Sequence, residues 1–376
     1  MEIAYTVLIF IAVLAVLVFV HELGHFLAAR KNKVKSEEFG LGFPPRAIGF
    51  YKDKDNNWKR VIGNKEVKDA KDTIYSLNFI PLGGFVKIKG LNGNEAQDKD
   101  SFSAKPAWRR AIILFAGVFM NIVLAAVLIA VGYMIGFPSG VDNVPKNAQV
   151  TQAQVQIVEV IPNSAAKAGG LQAGDVVENI EGKAIKTQTD LQSIIAENPG
   201  ESLDVVVKRQ NEVLNLNVTP EEKEGKGYLG IAMAATGLVK LPFFQAIWEG
   251  IRSAVIYLWA IILGFWGLIK SLFIAEPISA QLAGPISIAD LTGRFARMGF
   301  VYLLQFSALL SLNLAVINIL PFPALDGGRL LFLLIERIKG SPVKREVETA
   351  IHNLGFMLLM LLVLFVTFKD IARFFS

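Results

Sequence analysis

"VFVHELGHFLAAR", residues 18–30, is the point at which an apolar run takes in two histidines and a carboxylate. The chain holds three histidines in 376 residues, and two of them, His21 and His25, stand four apart here with Glu22 beside the first. Positions four apart on an α-helix share one face, about one turn from each other. Both imidazoles can therefore reach one ion, with Glu22 placed next to it to handle a water. The competing reading is a pair of helix histidines facing a buried polar contact. Within an apolar span that reading recedes, because ionisable groups are costly there and mark functional sites.

Working outward, 53% of the residues are hydrophobic and 19% charged, with a positive mean hydropathy. That is too apolar for an ordinary soluble domain. There are no cysteines, which excludes disulfides and thiolate metal sites. A tightly held metal must use imidazole and carboxylate, and zinc suits that donor set best. No basic stripe interleaved with aromatics points to nucleic acid. The basic residues flank apolar spans instead, and the lipid bilayer is the expected surrounding.

Three stretches are long enough to cross a bilayer, which takes about 20 residues: Ile3–Val20 continuing through the HELGH helix, Ala111–Phe137 and Phe300–Leu320. Leu354–Phe368 is shorter but gains length from Ile351 and the final turns. The first is not read as a cleavable signal, since Glu2 replaces a basic start and no small-residue cleavage site follows. Lys and Arg beside span ends mark the cytoplasmic side. Residues 31–105 carry 15 Lys/Arg against 10 Asp/Glu, and residues 141–226 carry 8 against 13. The amino terminus and residues 138–240 are thus expected outside, and 31–105 inside. Phe243–Ile269 is expected to be an interfacial amphipathic helix, because a crossing there would put the basic 329–345 loop on the wrong side. A five-span chain is the alternative.

Between the second span and residue 240 the pattern turns to short β-like runs. "VQIVEVIPNSAAKAGGLQAGDVVENIEGKAIKTQTDLQSII" reads as strand, short helix around Ala165–Ala168, strand, turn at Glu181–Gly182 and helix from Thr189. "LDVVVKRQNEVLNLNVTP" reads as a hairpin turning at Gln210–Asn211. This order resembles a PDZ domain, with "GGLQAGDVVENIEG" carrying the likeness. Tyr228, Leu229, Gly230 and Ile231 then resemble its carboxylate-binding loop, whose amides would receive a peptide terminus. A β-rich spacer is the plainer alternative.

A catalytic zinc needs a third protein ligand and one open position. His352 stands in "ETAIHNLG" at the start of the fourth span. "NLAVINILPFPALDGGRLLF", residues 313–332, is the better source: an apolar span breaks at Pro321 and Pro323 and presents Asp326 before two glycines. Irregular backbone at membrane depth survives only where protein or a water cavity surrounds it. Asp326 emerges at the cytoplasmic end of its span, as His25 does. The alternative makes Asp326 a turn residue or helix cap.

HELGH, the insert and "NILPFPALDGG" together resemble the site-2 protease family of intramembrane zinc metalloproteases, over nearly the whole chain. "FIPLGGFVKIKG" (Phe79–Gly90) is similar to that family's membrane-dipping β-hairpin, and "FAGVFMNIVLA" (Phe115–Ala125) to its second-span motif. The resemblance implies one Zn2+ per chain on His21, His25 and Asp326, with Glu22 as general base. It implies Asn318 and Asn121 near the scissile peptide or oxyanion, with Asn313 a weaker candidate, and Gly83, Gly84, Phe85 and Val86 as a substrate clamp. The expected partners are single-span membrane proteins, anti-sigma factors or signal-peptide remnants, trimmed outside beforehand. The PDZ-like unit would filter them by size or dock the new carboxyl terminus. A metal transporter would need polar groups on both sides of the membrane, and a silent scaffold would not need Glu22.

The expected fold is a polytopic α-helical membrane protein with four transmembrane helices, a membrane-associated β-hairpin and an inserted PDZ-like α+β domain. Its segments are a first transmembrane helix at 1–30, a cytoplasmic-side segment at 31–106 with the hairpin at about 72–90, and a second transmembrane helix at 107–137. They continue with the insert at 150–236, interfacial helices at 240–298, a third transmembrane helix at 299–330, and a loop with the fourth at 331–376.

Overall fold

The computed structural model describes residues 2–67, 70–91, 97–141, 144, 147–209, 212–274 and 284–375. The chain forms two compact units, one of Met1–Ile129 with Glu249–Ser376 and one of Ala130–Trp248.

Helix α1 (Glu2–Lys31) has no proline and no glycine before Gly24. Its 30 residues reach about 45 Å at 1.5 Å each. Ile3, Leu8 and Val16 lie exposed among its apolar residues, as in a helix that lipid covers. Strands β1 (Ser36–Lys52), β2 (Trp58–Ile62) and β3 (Ile74–Ile88) form a sheet in the order β2-β1-β3. Strand β3 bends and meets β1 in three stretches, at Phe50↔Tyr75 to Arg46↔Asn78, at Glu38↔Ile74 to Phe43↔Ile80, and at Leu41↔Gly84 to Ser36↔Ile88. The self-contained hairpin expected at about 72–90 is therefore a single bent strand whose partner comes from residues 36–52. Gly83, with φ +77, supplies a conformation at the bend that a side chain rarely adopts. The two halves of β1 are joined by a buried fork in which Arg46 Nε and Nη2 donate to Glu38 at 2.8 and 2.5 Å. The sheet leaves Leu41, Phe43, Leu77, Phe79 and Ile80 exposed, an apolar patch of the kind that meets a membrane or a partner. Helix α2 (Ala107–Ile135) begins just after Pro106 and ends at Gly136, φ +140.

The second unit contains β4 (Phe137–Gly140), β5 (Gln149–Val160), α3 (Ala165–Ala168), β6 (Val176–Ile180), β7 (Lys183–Ala184), α4 (Gln188–Glu197), β8 (Leu203–Arg209), β9 (Glu212–Val218), β10 (Glu221–Lys223), β11 (Lys226–Tyr228) and β12 (Ile231–Lys240). The main sheet runs β4-β12-β5-β6-β8-β9, with β7 paired to β6 and β10 paired to β11. Alternate residues Val155, Ile157, Val205 and Val207 point into one core with Leu171, Val177, Leu191 and Ile195. Thr187 and Asp190 form a reciprocal capping box that starts α4. Both short helices lie where the sequence places them, and β8 pairs with β9 from Leu203↔Val218 to Arg209↔Glu212. The turn expected at Gln210–Asn211 lies outside the described residues. The sheet exceeds the expected 150–236 at both ends, because β12 continues to Lys240 and takes β4 as an additional partner. Asp175, fully buried, accepts from Arg209 Nε and Nη2 at 2.7 and 2.8 Å and from the Gln172 N–H at 2.9 Å.

The first unit resumes with α5 (Phe243–Ile274), α6 (Pro285–Met298), α7 (Phe300–Ile319), α8 (Asp326–Lys339) and α9 (Arg345–Phe375). Among the described residues five helices are long and apolar enough to cross a membrane: Ile3–Lys31, Ala107–Ile135, Phe243–Ser271, Phe300–Ile319 and Arg345–Ala372. Helices α5 and α6 occupy the expected 240–298, and α5 exposes Trp248, Trp259, Trp266, Val255 and Leu263. The segment 299–330 divides at the expected proline break. Leu320, Pro321 and Pro323 end α7, and α8 starts afresh at Asp326. The start of α6 is tied to α9 by the buried Asp370, which accepts from the Ser287 N–H at 2.9 Å and its Oγ at 2.7 Å.

Burial alone would push the Asp175 carboxyl up, but the Arg209 guanidinium and the Gln172 amide outweigh it and hold the group below the ordinary carboxylate range. A folded-state value below the unfolded one adds stability that is complete above about pH 4 and is lost as pH falls through the lowered value. Amide protection factors across the insert, corrected for the pH dependence of intrinsic exchange, should accordingly stay flat from neutral pH to about pH 4 and fall below. Asp175→Asn should destabilise the insert by about 2 kcal/mol at pH 7, since it leaves Arg209 without its carboxylate.

Candidate metal centre

Helices α1 and α2 meet through glycine. A β-carbon on Gly24 would collide with the Ala116 carbonyl, and one on Gly117 would collide with His25 Nε2 and come within 2.8 Å of His21 Cε1. The α2 backbone therefore lies directly against both imidazoles, which are 6% exposed each. The rings sit 4.8 Å apart at an interplanar angle of 84°, so they converge edge to face.

His25 Nδ1 and the Ile113 carbonyl are 2.8 Å apart. Because a carbonyl only accepts, Nδ1 carries the proton and Nε2 is left with a lone pair facing inward. His21 Nδ1 lies 3.3 Å from the Asn121 side-chain amide, which is fully buried and whose Oδ1 has no other partner. The end-over-end orientation of an amide is assigned from its hydrogen bonds. Once His21 Nε2 serves a metal, its proton resides on Nδ1, and an amide presenting Oδ1 accepts it, which gives the orphaned Oδ1 a donor.

Asp326 completes the set. Its Oδ2 lies 3.0 Å from His21 Nε2 and 3.2 Å from His25 Nε2, and the two Nε2 atoms are 3.2 Å apart. A tetrahedral ion with bonds of about 2.1 Å holds its ligands about 3.4 Å from one another. The three donors fit that spacing with little movement, and among the described residues this is the one group of such side chains gathered closely enough to hold a metal. Two nitrogens and one oxygen, with no sulfur, suit zinc. Asp326 reaches them because of the two glycines that follow it. A β-carbon on Gly327 would strike the Ile319 and Leu320 carbonyls, and one on Gly328 the Phe322 carbonyl. Both being glycine, α8 can turn back against the exposed end of α7, and Asp326 becomes its first residue.

Glu22 lines a cavity of about 220 Å³ together with His21, Asp326, Asn318, Val18 and Leu314. Its Oε2 accepts the Val86 N–H of β3 at 3.2 Å. Gly83 makes this approach possible, since a β-carbon there would press into Val18 at 2.6 Å, and Gly84 backs onto the Gly40 carbonyl. Phe85 pairs with Gly40 and Val86 with Phe39, which leaves the other edge of this stretch towards α1. Asn318 thus faces the cavity and Asn121 faces His21. Asn313 does neither, because its Nδ2 donates to the Leu309 carbonyl at 2.9 Å within α7.

Tyr228, Leu229, Gly230 and Ile231 belong to the other unit. Leu229 is buried, the Leu229 and Gly230 carbonyls accept the Ala166 and Ile161 N–H groups at 2.9 Å, and Gly230 has φ +74. Sequence reasoning passed over Ile113, Gly117 and Ser311, whose Oγ donates to the Asn121 carbonyl at 2.8 Å. A backbone acceptor leaves no trace in residue type. Gly117, four residues before Asn121, was legible as half of a motif but not as a contact with imidazoles.

Comparison with known proteins bears on this arrangement. The profile of Peptidase family M50 matches residues 9–362. The chain is 32% identical to the regulator of sigma-W protease RasP of Bacillus subtilis, over 98% of this chain and 99% of that one. It is 30% identical to the zinc metalloprotease RasP of Geobacillus kaustophilus, over 98% of each. A solved PDZ domain of an SdrC-like protein from Listeria monocytogenes covers 23% of the chain at 24% identity, with a TM-score of 0.21. With the family profile running from the first apolar helix into the last, and a histidine–aspartate cluster fit for zinc between them, the chain belongs to peptidase family M50, the site-2 proteases.

Proposed function

We propose that this chain is an intramembrane zinc metalloendopeptidase that cleaves single-span membrane proteins within or beside their membrane segment, with His21, His25 and Asp326 as zinc ligands. The observation that carries this reading is the meeting of three donors at 3.0–3.2 Å, two from the first apolar span and one from the start of α8. When bound, zinc supplies Lewis-acid polarisation of a peptide carbonyl and activation of water at neutral pH.

The chain's own groups do the rest. Glu22, in the same cavity, accepts the proton of the attacking water and returns it to the departing amine. The Val86 N–H holds one carboxylate oxygen and so aims the other into the cavity. Asn318 donates to the developing oxyanion or to the substrate backbone. Asn121, expected beside the scissile peptide, is better assigned to holding the His21 ring, because it is fully buried against that ring. A substrate helix hides its amides in its own hydrogen bonds and has to unwind. Residues 83–86 lie on an outer strand of the sheet beside the cavity and offer the extended segment a strand to pair with.

The regulatory name of the Bacillus subtilis relative supports anti-sigma factors as substrates, with signal-peptide remnants as a second group. The insert, facing outside, acts as a size filter or docks a trimmed carboxyl terminus at Tyr228–Ile231. Four helices cross a bacterial plasma membrane and the amino terminus lies outside. Helix α5 lies at the interface, because Arg329, Arg337, Lys339, Lys344 and Arg345 then fall on the cytoplasmic side.

Glu22→Gln should keep one zinc per chain and lower the cleavage rate of a model single-span substrate by about 10²–10⁴-fold. Asp326→Ala should lose the zinc together with activity. Metal analysis of each purified variant beside a cleavage assay separates the roles, and full turnover by Glu22→Gln would remove the general-base assignment. The two asparagines should part in the same assay. Asn318→Ala should lower kcat by about 10²–10³-fold with zinc retained, and Asn121→Leu should weaken zinc affinity by about 10–100-fold.

A further inference from the structure

The third histidine takes no part in the metal cluster, yet it is placed with equal care. His352, in the second turn of α9, accepts the Ala324 N–H on Nδ1 at 2.9 Å. Ala324 has φ +79, a left-handed backbone that a residue with a β-carbon adopts only when its surroundings force it. It stands two residues before Asp326, in the loop that brings the carboxylate to the imidazoles. One turn along the same helix face, Gly355 lies so close to this loop that a β-carbon would press on Pro323, 2.6 Å from its carbonyl oxygen. Two contacts from α9 therefore bear on adjacent residues, one through a hydrogen bond and one through bare backbone.

The imidazole itself is held in the form this bond needs. Nδ1 can accept only if it carries no proton, which puts the proton on Nε2. Nε2 is buried without a hydrogen-bond partner and lies 4.0 Å from Glu348 Oε1, a carboxylate one turn earlier that favours a proton there. The ring packs on Phe332 of α8 at 5.4 Å between centroids.

We infer that His352 is a positioning residue for the zinc site: by accepting the Ala324 N–H, with Gly355 seating the helix on Pro323, it fixes the left-handed turn that aims Asp326. This inference rests on Asp326 being a zinc ligand. Helix α9 is then the brace of the third ligand, and its second and third turns act on the metal without touching it.

The test uses the full-length protein in detergent, with zinc affinity read by chelator competition and kinetics on a model single-span substrate. His352→Leu keeps the packing and deletes the acceptor. It should weaken zinc binding by about 10–100-fold, as loss of an outer-shell partner does, and lower kcat while KM stays within about twofold. His352→Asn, whose Oδ1 can stand where Nδ1 stood, should recover most of both. In an Ala324→Gly background the left-handed turn carries no penalty, so His352→Leu should have less than half its logarithmic effect. Wild-type zinc affinity and kcat in His352→Leu, or a defect that neither His352→Asn nor Ala324→Gly relieves, would overturn the inference. Should His352→Leu fail to fold, Gly355→Ala must give the same loss of zinc affinity, and the Ala324 amide of the unsubstituted protein must exchange slowly. Wild-type zinc affinity in Gly355→Ala, or rapid exchange at Ala324, sinks it equally. A wild-type protein without zinc, or an Asp326→Ala variant that retains it, would instead refute the ligand assignment beneath.

Discussion

The structure depends on the cost of polar groups in lipid. Two imidazoles and two carboxylates gathered among apolar helices are costly unless the protein supplies partners for them. His25 has the Ile113 carbonyl, His21 has Asn121, Glu22 has the Val86 amide, and the remaining nitrogens converge with Asp326. These partners come from three parts of the chain: α2 for both imidazoles, β3 for Glu22, and the start of α8 for the shared carboxylate. The packing of α1, α2, β3 and the α7–α8 turn can be seen as the means of delivering those partners to one depth.

Glycine is what lets them arrive. Gly24 and Gly117 bring two helices to backbone distance, Gly83 brings the strand to α1, and Gly327 and Gly328 fold α8 against the end of α7. A β-carbon at any of these would meet atoms closer than 3.0 Å, so the neighbouring element would have to move. In such a site, small residues are as much a part of the chemistry as the ligands.

The sequence made the donors legible because a histidine pair and a carboxylate are conspicuous against an apolar background, and because prolines and glycines flag the break before Asp326. It made the insert's two helices and its β8–β9 pairing legible through alternation and capping. It did not reveal which strand partners β3, since pairing across 36–52 and 74–88 depends on a bend at Gly83 and not on local pattern. The separation of Asn121 from Asn318 was equally hidden. Both are asparagines in apolar helices, and only the packing of α2 on α1 turns one to a ring and the other to a cavity. The single helix expected over Phe243–Ile269 is α5, five residues longer at its carboxyl end.

The contact between Gly117 and the imidazoles has a consequence for which metals can enter. On that side the pocket wall is peptide backbone, and backbone, unlike a side chain, has no alternative rotamer into which it can retreat. A large hard cation such as calcium, which gathers six to eight oxygens at about 2.3–2.6 Å, finds neither the ligands nor any give in the wall. Discrimination between ions is in this way written into the spacing of two helices as well as into the choice of donor atoms.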